Sequence, residues 1–462
     1  MTPSLMGVGE LSGSLKARRI SNSSDMGFTS ASIDSRNVKE GGLFFALNGA
    51  SCDGHSFVKK AFKSGARAAV VEASKLESFD LVNIAKNAGK DLIVVENTLK
   101  ALQDSARVYI DKFPNLLKIG ITGSSGKTTT KEIAASMISF EKNTVKNPGN
   151  LNSETGLPLS VFEVRSVHEA GVFECGMNKK NEILEIAGVI RPNIAAITNI
   201  GTAHIENFGS REEILKEKKC IFNFLNDSDT ALIPGGEEYS SELARNVKGN
   251  VRFFSAELFS ELEGTRSLGL DGTEITWAGE KIHFPLPGKH SLSDAIAAIA
   301  IAKTVPVSNA AIKKGLESVK PLFGRLEIFK GRTTVICDCY NANPESTQKC
   351  IEFCDSLEWD GRRIYVTGDM LELGETSFAA HTKLGELLLK SKAEKIFLFG
   401  EESSAAASVL KSNAKPFFHT CNIDELSKTL DSFVKKGDLV LLKGSRGMKL
   451  ERLLEMLTGG AV

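Results

Sequence analysis

Apolar positions along this chain gather into short runs, and between the runs they recur at every third or fourth residue. The first pattern predicts strands buried on both faces, and the second predicts helices that cover them. Up to residue 112 the strands Gly42 to Leu47 and Ala68 to Val71, a helix near His55 to Ser64 and a closing helix from Thr98 to Phe113 predict a small α/β unit. From 113 to 322, strands Leu117 to Thr122, Gly171 to Cys175, Ile194 to Ile200 and Thr230 to Ile233 alternate with helices. That alternation predicts a mainly parallel sheet with helices on both faces. From 323 to 462, strands Thr333 to Cys337, Ile364 to Thr367, Lys395 to Phe399 and Asp438 to Lys443 alternate with helices Glu345 to Ser356, Ala379 to Lys390 and Asp424 to Val434. This third unit reads as doubly wound and Rossmann-like, with ligands expected at the carboxyl ends of its strands.

Length and composition agree with that division. A chain of 462 residues accommodates roughly three domains at about 100–200 residues each. Hydrophobic content of 42% and charged content of 25% are those of a globular chain with several cores. Basic and acidic residues both number 57, so no basic surplus argues for nucleic acid or an anionic membrane surface. Cysteines 52, 175, 220, 337, 339, 350, 354 and 421 form no C-x-x-C pair and read as reduced core residues rather than a metal site or disulfide framework. Met1 to Lys16 lacks a long apolar segment behind a basic start, and no apolar run approaches membrane-spanning length, so a cytoplasmic protein without membrane insertion is expected. A monomer is the expected oligomeric state.

The chemistry begins at Gly120-Ile-Thr-Gly123-Ser-Ser-Gly126-Lys127-Thr128-Thr129-Thr130, between a predicted strand and a predicted helix. Glycines there let backbone N–H groups turn onto phosphate oxygens, and the helix start adds partial positive charge. Lys127 can reach terminal phosphates and the Thr128 hydroxyl can hold Mg²⁺. The glycines fall at every third position, whereas the common spacing would put one at Ile121, so the loop is a variant. ATP or GTP is the nucleotide it implies. Glu174, where an apolar strand gives way to Cys-Gly-Met-Asn178, suits a hard cation or is an ordinary solvated strand-end carboxylate. His204, in Ile200-Gly-Thr-Ala-His204, is a metal ligand or a capping residue. Lys218 shares a helical face with Ile214, Leu215, Ile221, Phe222 and Leu225, while Lys216 and Lys219 point elsewhere. Either its ammonium snorkels to water or burial lowers its pKa toward a neutral, reactive amine.

Further motifs extend along the chain: Asp34-Ser-Arg36, Gly41-Gly-Leu-Phe-Phe-Ala-Leu47, Asp53-Gly-His55, Asn147-Pro-Gly-Asn150-Leu-Asn152, Leu286-Pro-Gly-Lys-His290, Gly324-Arg325, Asp338-Cys-Tyr-Asn-Ala-Asn-Pro344, Gly368-Asp-Met-Leu-Glu-Leu-Gly374 and Lys443-Gly-Ser-Arg446. With the phosphate loop they make the chain resemble the Mur ligases over nearly its whole length. Among these it is most similar to the branch that joins D-Ala-D-Ala to UDP-MurNAc-tripeptide for peptidoglycan and cell-wall biogenesis. The resemblance implies ATP-dependent amide ligation through an acyl phosphate. It implies that Thr122, Gly123, Ser124, Ser125, Gly126, Lys127, Thr128, Thr129, Arg325 and Asp338 bind ATP. It also implies two Mg²⁺ sites served by Thr128, Glu174, His204 and Lys218, the last as a carbamate formed with CO₂, and makes Lys127, Glu174, His204 and Lys218 the catalytic set. Ser35, Arg36, Asp53, His55, Asn150, Asn341 and Asn343 would meet the peptide and UDP-sugar substrates, with the first unit holding the UDP-sugar. The run Gly288-Lys-His290-Ser-Leu-Ser-Asp294 departs from the family pattern Gly-x-His-Asn-x-x-Asn at both Asn positions: the first is Ser291 and the last is Asp294, which when ionised accepts hydrogen bonds but cannot donate one. A folylpolyglutamate synthase-like ligase and a nucleotide-dependent switch without ligase chemistry are the alternatives, the first opposed by the separate first unit and the Tyr-Asn-Ala-Asn-Pro run.

Overall fold

A computed structural model describes residues 3–21, 26–49 and 52–460. Residues 1–2 and 461–462, the outer ends of the expected first and third units, lie outside the described residues.

The central sheet has six strands, all parallel, in the order Asn250–Phe254, Thr230–Pro234, Ile194–Ile197, Leu117–Thr122, Ala170–Glu174, Thr144–Lys146. The inner strands are apolar at almost every position because helices bury both faces. Helices Lys127–Ser139, Lys289–Thr304 and Asn309–Glu317 pack on one side with Ile119, Ile121 and Ala196. Helix Glu182–Ile190 covers the other, where Ile186 and Ile190 join Phe173 and Ile197. The chain passes from Ala170–Glu174 to Ile194–Ile197 across Leu117–Thr122, so strand order reverses beside the phosphate loop. Open parallel sheets bind ligands at such a reversal.

In the first unit, strands Ala31–Ser32, Leu43–Phe45, Ala68–Glu72 and Asp91–Val95 run parallel, and Arg18–Ile20 adds an antiparallel edge. Its core continues into the central unit. Tyr109, on helix Thr98–Ile110, packs on Phe162, and its hydroxyl donates to the Val164 carbonyl at 2.6 Å. The third unit orders Glu327–Lys330, Thr334–Asp338, Leu439–Lys443, Arg363–Gly368, Lys395–Phe399 and Phe417–Thr420, antiparallel only at its first pair.

One element escapes the sequence pattern. Leu262–Ser267, Thr273–Trp277 and Glu280–Phe284 form a separate antiparallel sheet. Its first strand is almost wholly exposed and carries no apolar signature. The hairpin between the other two turns on Ala278 and Gly279, both at positive φ, without the Asn-Gly or Asp-Gly pair that marks such turns. Among the described cysteines, 175, 337, 339, 350 and 354 are buried, 220 is half-buried, and 52 and 421 lie on the surface rather than in a core. No described helix is long and apolar enough to cross a membrane.

Candidate active site

Strand Leu117–Thr122 ends where the phosphate loop begins, and two glycines permit the loop's path. Gly126 has φ +78°, and a Cβ there would sit 1.9 Å from Asp294 Oδ1. At Gly123 a Cβ would sit 1.9 Å from Thr198 Oγ1. The loop is braced from the neighbouring strand end. The Ser124 N–H donates to the Asn199 carbonyl, the Ser125 N–H donates to Asn199 Oδ1, and the Thr198 hydroxyl donates to the Ser125 carbonyl at 2.6 Å. The polar stretch after Ile194–Ile197 therefore holds the cradle in shape before any phosphate arrives. Ser124 to Thr129 line a cleft of about 280 Å³ between the central and third units.

Glu174 ends the adjacent strand and is buried to 1% exposure. Its Oε1 accepts from Asn152 Nδ2 at 2.5 Å, whereas Oε2 is buried without a hydrogen-bond partner. A buried carboxylate oxygen left open at a cleft wall carries a desolvation cost that a ligand can relieve. Beneath the loop the Thr122 hydroxyl is likewise unpartnered. Lys127 and Lys218 both donate to the Gly123 carbonyl, at 2.9 and 3.0 Å.

Lys218 does not snorkel. It is 1% exposed, on helix Arg211–Lys219, with Met177 Sδ as its other contact at 3.5 Å. Lys216 is exposed, and Lys219 donates to the Glu242 and Arg245 carbonyls. Glu217, beside it, is buried too, accepting from the N–H groups of Asn181 and Ile183 and so pinning this helix to the start of helix Glu182–Ile190. Burial, reinforced by the nearby Lys127 ammonium and opposed by Glu217, drives the Lys218 amine well below its ordinary pKa. Burial also lowers Lys127, against the pull of Glu174.

The third unit supplies the opposite wall. Arg325 stacks over the Tyr340 ring at 4.1 Å and reaches across to donate to the Thr128 hydroxyl at 3.0 Å. Asp338, at a strand end, pairs with the buried Lys443 ammonium at 2.9 Å, and Lys443 also donates to the Asn341 carbonyl. Thr202 donates to Glu345 across the cleft at 2.7 Å. His204 Nδ1 lies 2.6 Å from Glu372 Oε2, an ion-pair distance, yet off the line of an aligned hydrogen bond, and Nδ1 has no hydrogen-bond partner. Both residues adopt left-handed backbone, at φ +65° and +63°. Such conformations are costly for residues other than glycine and concentrate at functional sites. His290 and Asp294 line the same cleft. Burial lowers the imidazole of His290 to about 4, while burial pushes the Asp294 carboxyl up to about 7 against Arg325 and Lys349. Near neutrality Asp294 is partly protonated, and a protonated carboxyl donates as an amide would.

The structure therefore gathers Ser124, Ser125, Gly126, Lys127, Thr128, Thr129, Glu174, His204, Arg325, Asp338, Asn341 and Asn343 around one cleft. Thr122, Gly123 and Lys218 stand directly behind it. Asn343 spends its side-chain oxygen capping helix Pro344–Ser356, accepting from the Ser346 N–H at 2.8 Å. Asn150 is exposed on the neighbouring loop. Ser35, Arg36, Asp53 and His55 lie in the first unit, outside this cleft. Arg36 is 74% exposed and paired with Asp34, whose carboxyl it holds at about 2. His55 is placed differently from the exposed Arg36. Its ring is wholly buried, Nδ1 lies 2.6 Å from Asp53 and Nε2 accepts from the Glu72 N–H, so neither nitrogen is left for a substrate. Glu345 and Lys349 line the cleft although no quoted motif contains them, and Tyr340 and His290 line it from within quoted motifs without an assigned role. The available signal for Lys349 was its place in the first turns of helix Glu345 to Ser356, which begins directly after the quoted motif that ends at Pro344.

Fold and cleft define a nucleotide-dependent enzyme in which a phosphate loop on one α/β unit is closed by cationic groups from another. Three segments match family models: the Mur ligase family catalytic domain at 28–110, the Mur ligase middle domain at 121–302, and the Mur ligase glutamate ligase domain at 324–446. The UDP-N-acetylmuramoyl-tripeptide--D-alanyl-D-alanine ligase of Treponema pallidum (strain Nichols) is 39% identical over 440 residues, 93% of this chain and 94% of its own length. Among solved structures, MurF from Acinetobacter baumannii aligns with TM-score 0.86 at 28% identity over 99% of this chain and 100% of its own. The MurF ligase of Thermotoga maritima in complex with ADP aligns with TM-score 0.79 at 29% identity, covering 94% of this chain and 97% of its own. The chain belongs to the Mur ligase family.

Proposed function

We propose that this enzyme joins D-Ala-D-Ala to UDP-MurNAc-tripeptide at the expense of ATP, giving UDP-MurNAc-pentapeptide for peptidoglycan synthesis in the cytoplasm. The observation that carries this reading is the cleft: a braced phosphate loop and an unpartnered buried carboxylate oxygen face cations from a second unit. Similarity to tripeptide–D-Ala-D-Ala ligases along almost the whole chain supports the substrates. The folylpolyglutamate synthase-like alternative is not favoured, because the first unit also matches the Mur ligase family. We assign residues 1–112 to the UDP-sugar, 113–322 to ATP and chemistry, and 323–462 to closure, acting as a monomer without nucleic acid.

A carboxylate is a poor electrophile, so the tripeptide's terminal carboxylate oxygen attacks the γ-phosphorus of ATP, and ADP leaves. The dipeptide amine then adds to the acyl phosphate carbon, phosphate departs with the carboxylate oxygen, and the amine loses a proton. Transfer between anions demands charge neutralisation, which Lys127 and Arg325 supply from opposite walls. Arg325 must exchange its Thr128 hydroxyl contact for phosphate when nucleotide enters. Asp338 stands at a strand end for the ribose hydroxyls, with Lys443 fixing its carboxylate. Ser35, Arg36 and Asp53 serve the UDP-sugar, and Asn150, Asn341 and Asn343 the peptide substrates. His55 acts through Asp53.

The residues present fit Mg²⁺. Glu174 Oε2 is open, Thr128 offers a hydroxyl, and His204 lies on the same cleft. Mg²⁺ there would neutralise charge on the transferring phosphoryl oxygens. Lys218 fits carbamylation, because burial lowers its amine well below the ordinary range and so favours the neutral form that attacks CO₂ with loss of a proton. The carbamate would add an anionic oxygen ligand behind Gly123 for a second cation.

The test is phosphate release from ATP with each peptide substrate alone and with both, recording product mass. Release that requires both, with a pentapeptide product, is expected. Release indifferent to the peptides would replace this reading with the nucleotide switch.

A further inference from the structure

One charged group near the cleft has no part in the scheme above. Lys131 lies one turn into the phosphate-loop helix, and its side chain has no solvent exposure. Buried lysines usually lead their ammonium out to water. This one turns inward. Its Nζ donates to the Asn147 carbonyl at 2.8 Å and the Gly149 carbonyl at 3.0 Å, and lies 3.1 Å from Glu132 Oε1. Three donors thus have three oxygens, and Glu174 Oε2 stands just beyond, at 4.0 Å.

The two carbonyls belong to the loop that orients Glu174. Asn147 Oδ1 accepts from the Glu174 N–H at 2.8 Å, and Asn147 Nδ2 donates to the Glu174 carbonyl at 3.2 Å. Asn152, further along the same loop, donates to Glu174 Oε1. The backbone and one carboxylate oxygen of Glu174 are therefore held by a segment that Lys131 ties to the phosphate-loop helix.

We infer that Lys131 is a positioning residue for the cation site: it clamps the 147–152 loop so that Glu174 Oε1 is engaged and Oε2 is presented to the cleft. This rests on the ligase reading and on Glu174 as a cation ligand. The Asn147 carbonyl is buried, so an apolar replacement leaves it without its donor away from water, and it frees the Gly149 carbonyl from the clamp. The helix start itself does not depend on Lys131, since Gly126 and the Asn199 brace shape the cradle.

The test uses the full chain with Lys131→Met and Lys131→Gln, the second retaining amide donors for one or both carbonyls. Mn²⁺ binding to the ADP complex is read by electron paramagnetic resonance, metal-free ADP binding by calorimetry, and folding by thermal unfolding. Loss of a group that orients a metal ligand typically weakens metal binding by 10–100-fold, so Mn²⁺ affinity is expected to fall by about tenfold in Lys131→Met and by less in Lys131→Gln. The Mg²⁺ concentration for half-maximal ligation should rise by the same factor, while metal-free ADP binding stays at the wild-type value. Unchanged Mn²⁺ affinity in a folded variant overturns the inference. So does an equal loss of metal-free ADP binding, which would mean that Lys131 shapes the cradle, or unfolding of both variants, which would make it a stability residue alone. Should wild-type protein ligate nothing, the ligase reading falls, and the Mn²⁺ titrations still judge Lys131.

Discussion

The cleft between the central and third units and the candidate surface of the first unit treat their polar groups in opposite ways. Around the cleft, charged groups are buried and incompletely partnered: Glu174 Oε2 is open, and Lys218 has a carbonyl and a thioether for company. In the first unit Arg36 is exposed and already satisfied by Asp34, while Asp53 answers to both His55 and Lys75. Chemistry on phosphate and carboxylate needs groups that carry their desolvation cost beforehand, whereas recognition of a soluble sugar nucleotide can exchange one solvated partner for another. On the proposed assignment, the cleft carries its desolvation cost before any ligand arrives, whereas the first unit meets its cost on binding the sugar nucleotide.

That contrast breaks most readily at the phosphate loop. Lys127→Met should lower the ligation rate by about 10³-fold while leaving the unfolding temperature unchanged, because in the proposed mechanism the lysine neutralises charge as phosphoryl transfer develops. Product formation and thermal unfolding, measured on the same preparation, check both halves. A variant that unfolds early would make Lys127 part of the scaffold.

Lys218→Met comes next, with an expected rate loss of about 10²-fold and an unfolding temperature equal to or above wild type, since replacing a poorly partnered buried amine with an apolar chain removes a desolvation penalty. Labelled bicarbonate should give wild-type protein a carbamate carbon resonance that the variant lacks. A resonance shared by both would place the modification elsewhere.

On the first unit the expected signature is different. Arg36→Ala should raise KM for the UDP-sugar substrate by about tenfold with kcat unchanged, the loss of one charge-assisted contact at a solvated surface. A fall in kcat would erase the distinction between the two regions.

The smallest effect is on pH. Asp294, held at about 7 against an ordinary 3.8, keeps its proton in the folded state after the unfolded chain has lost it, so its contribution falls as pH rises from about 4 to 7. His290, lowered from 6.5 to about 4, does the reverse: the unfolded chain binds the proton, and stability rises over nearly the same window. The two offset each other in wild type. Asp294→Asn removes the falling limb, and its unfolding temperature should climb from pH 5 to pH 7 relative to wild type. Parallel profiles would show that Asp294 is no more buried than its neighbours.

How far the sequence reached follows the same physical divide. The phosphate loop and the Lys218 helix were legible because glycine spacing and helical periodicity are local signals. Glu217 was not, since its burial depends on the N–H groups of Asn181 and Ile183, remote in sequence. Lys131 sits in a polar Thr-Thr-Thr-Lys string that gives no hint of a dry interior. The pairing of His204 with Glu372 and of Thr202 with Glu345 exists only once two units meet. The burial of His55 was not legible either: its motif is local, but the fold draws the ring inside against Asp53.

The central claim is that the cleft activates a carboxylate by phosphoryl transfer, and oxygen labelling tests it most directly. UDP-MurNAc-tripeptide carrying ¹⁸O in its terminal carboxylate should deliver one labelled oxygen to the released phosphate when ATP and D-Ala-D-Ala are present. Phosphate carrying oxygen from water alone would contradict the account and leave an enzyme that hydrolyses nucleotide without activating the peptide.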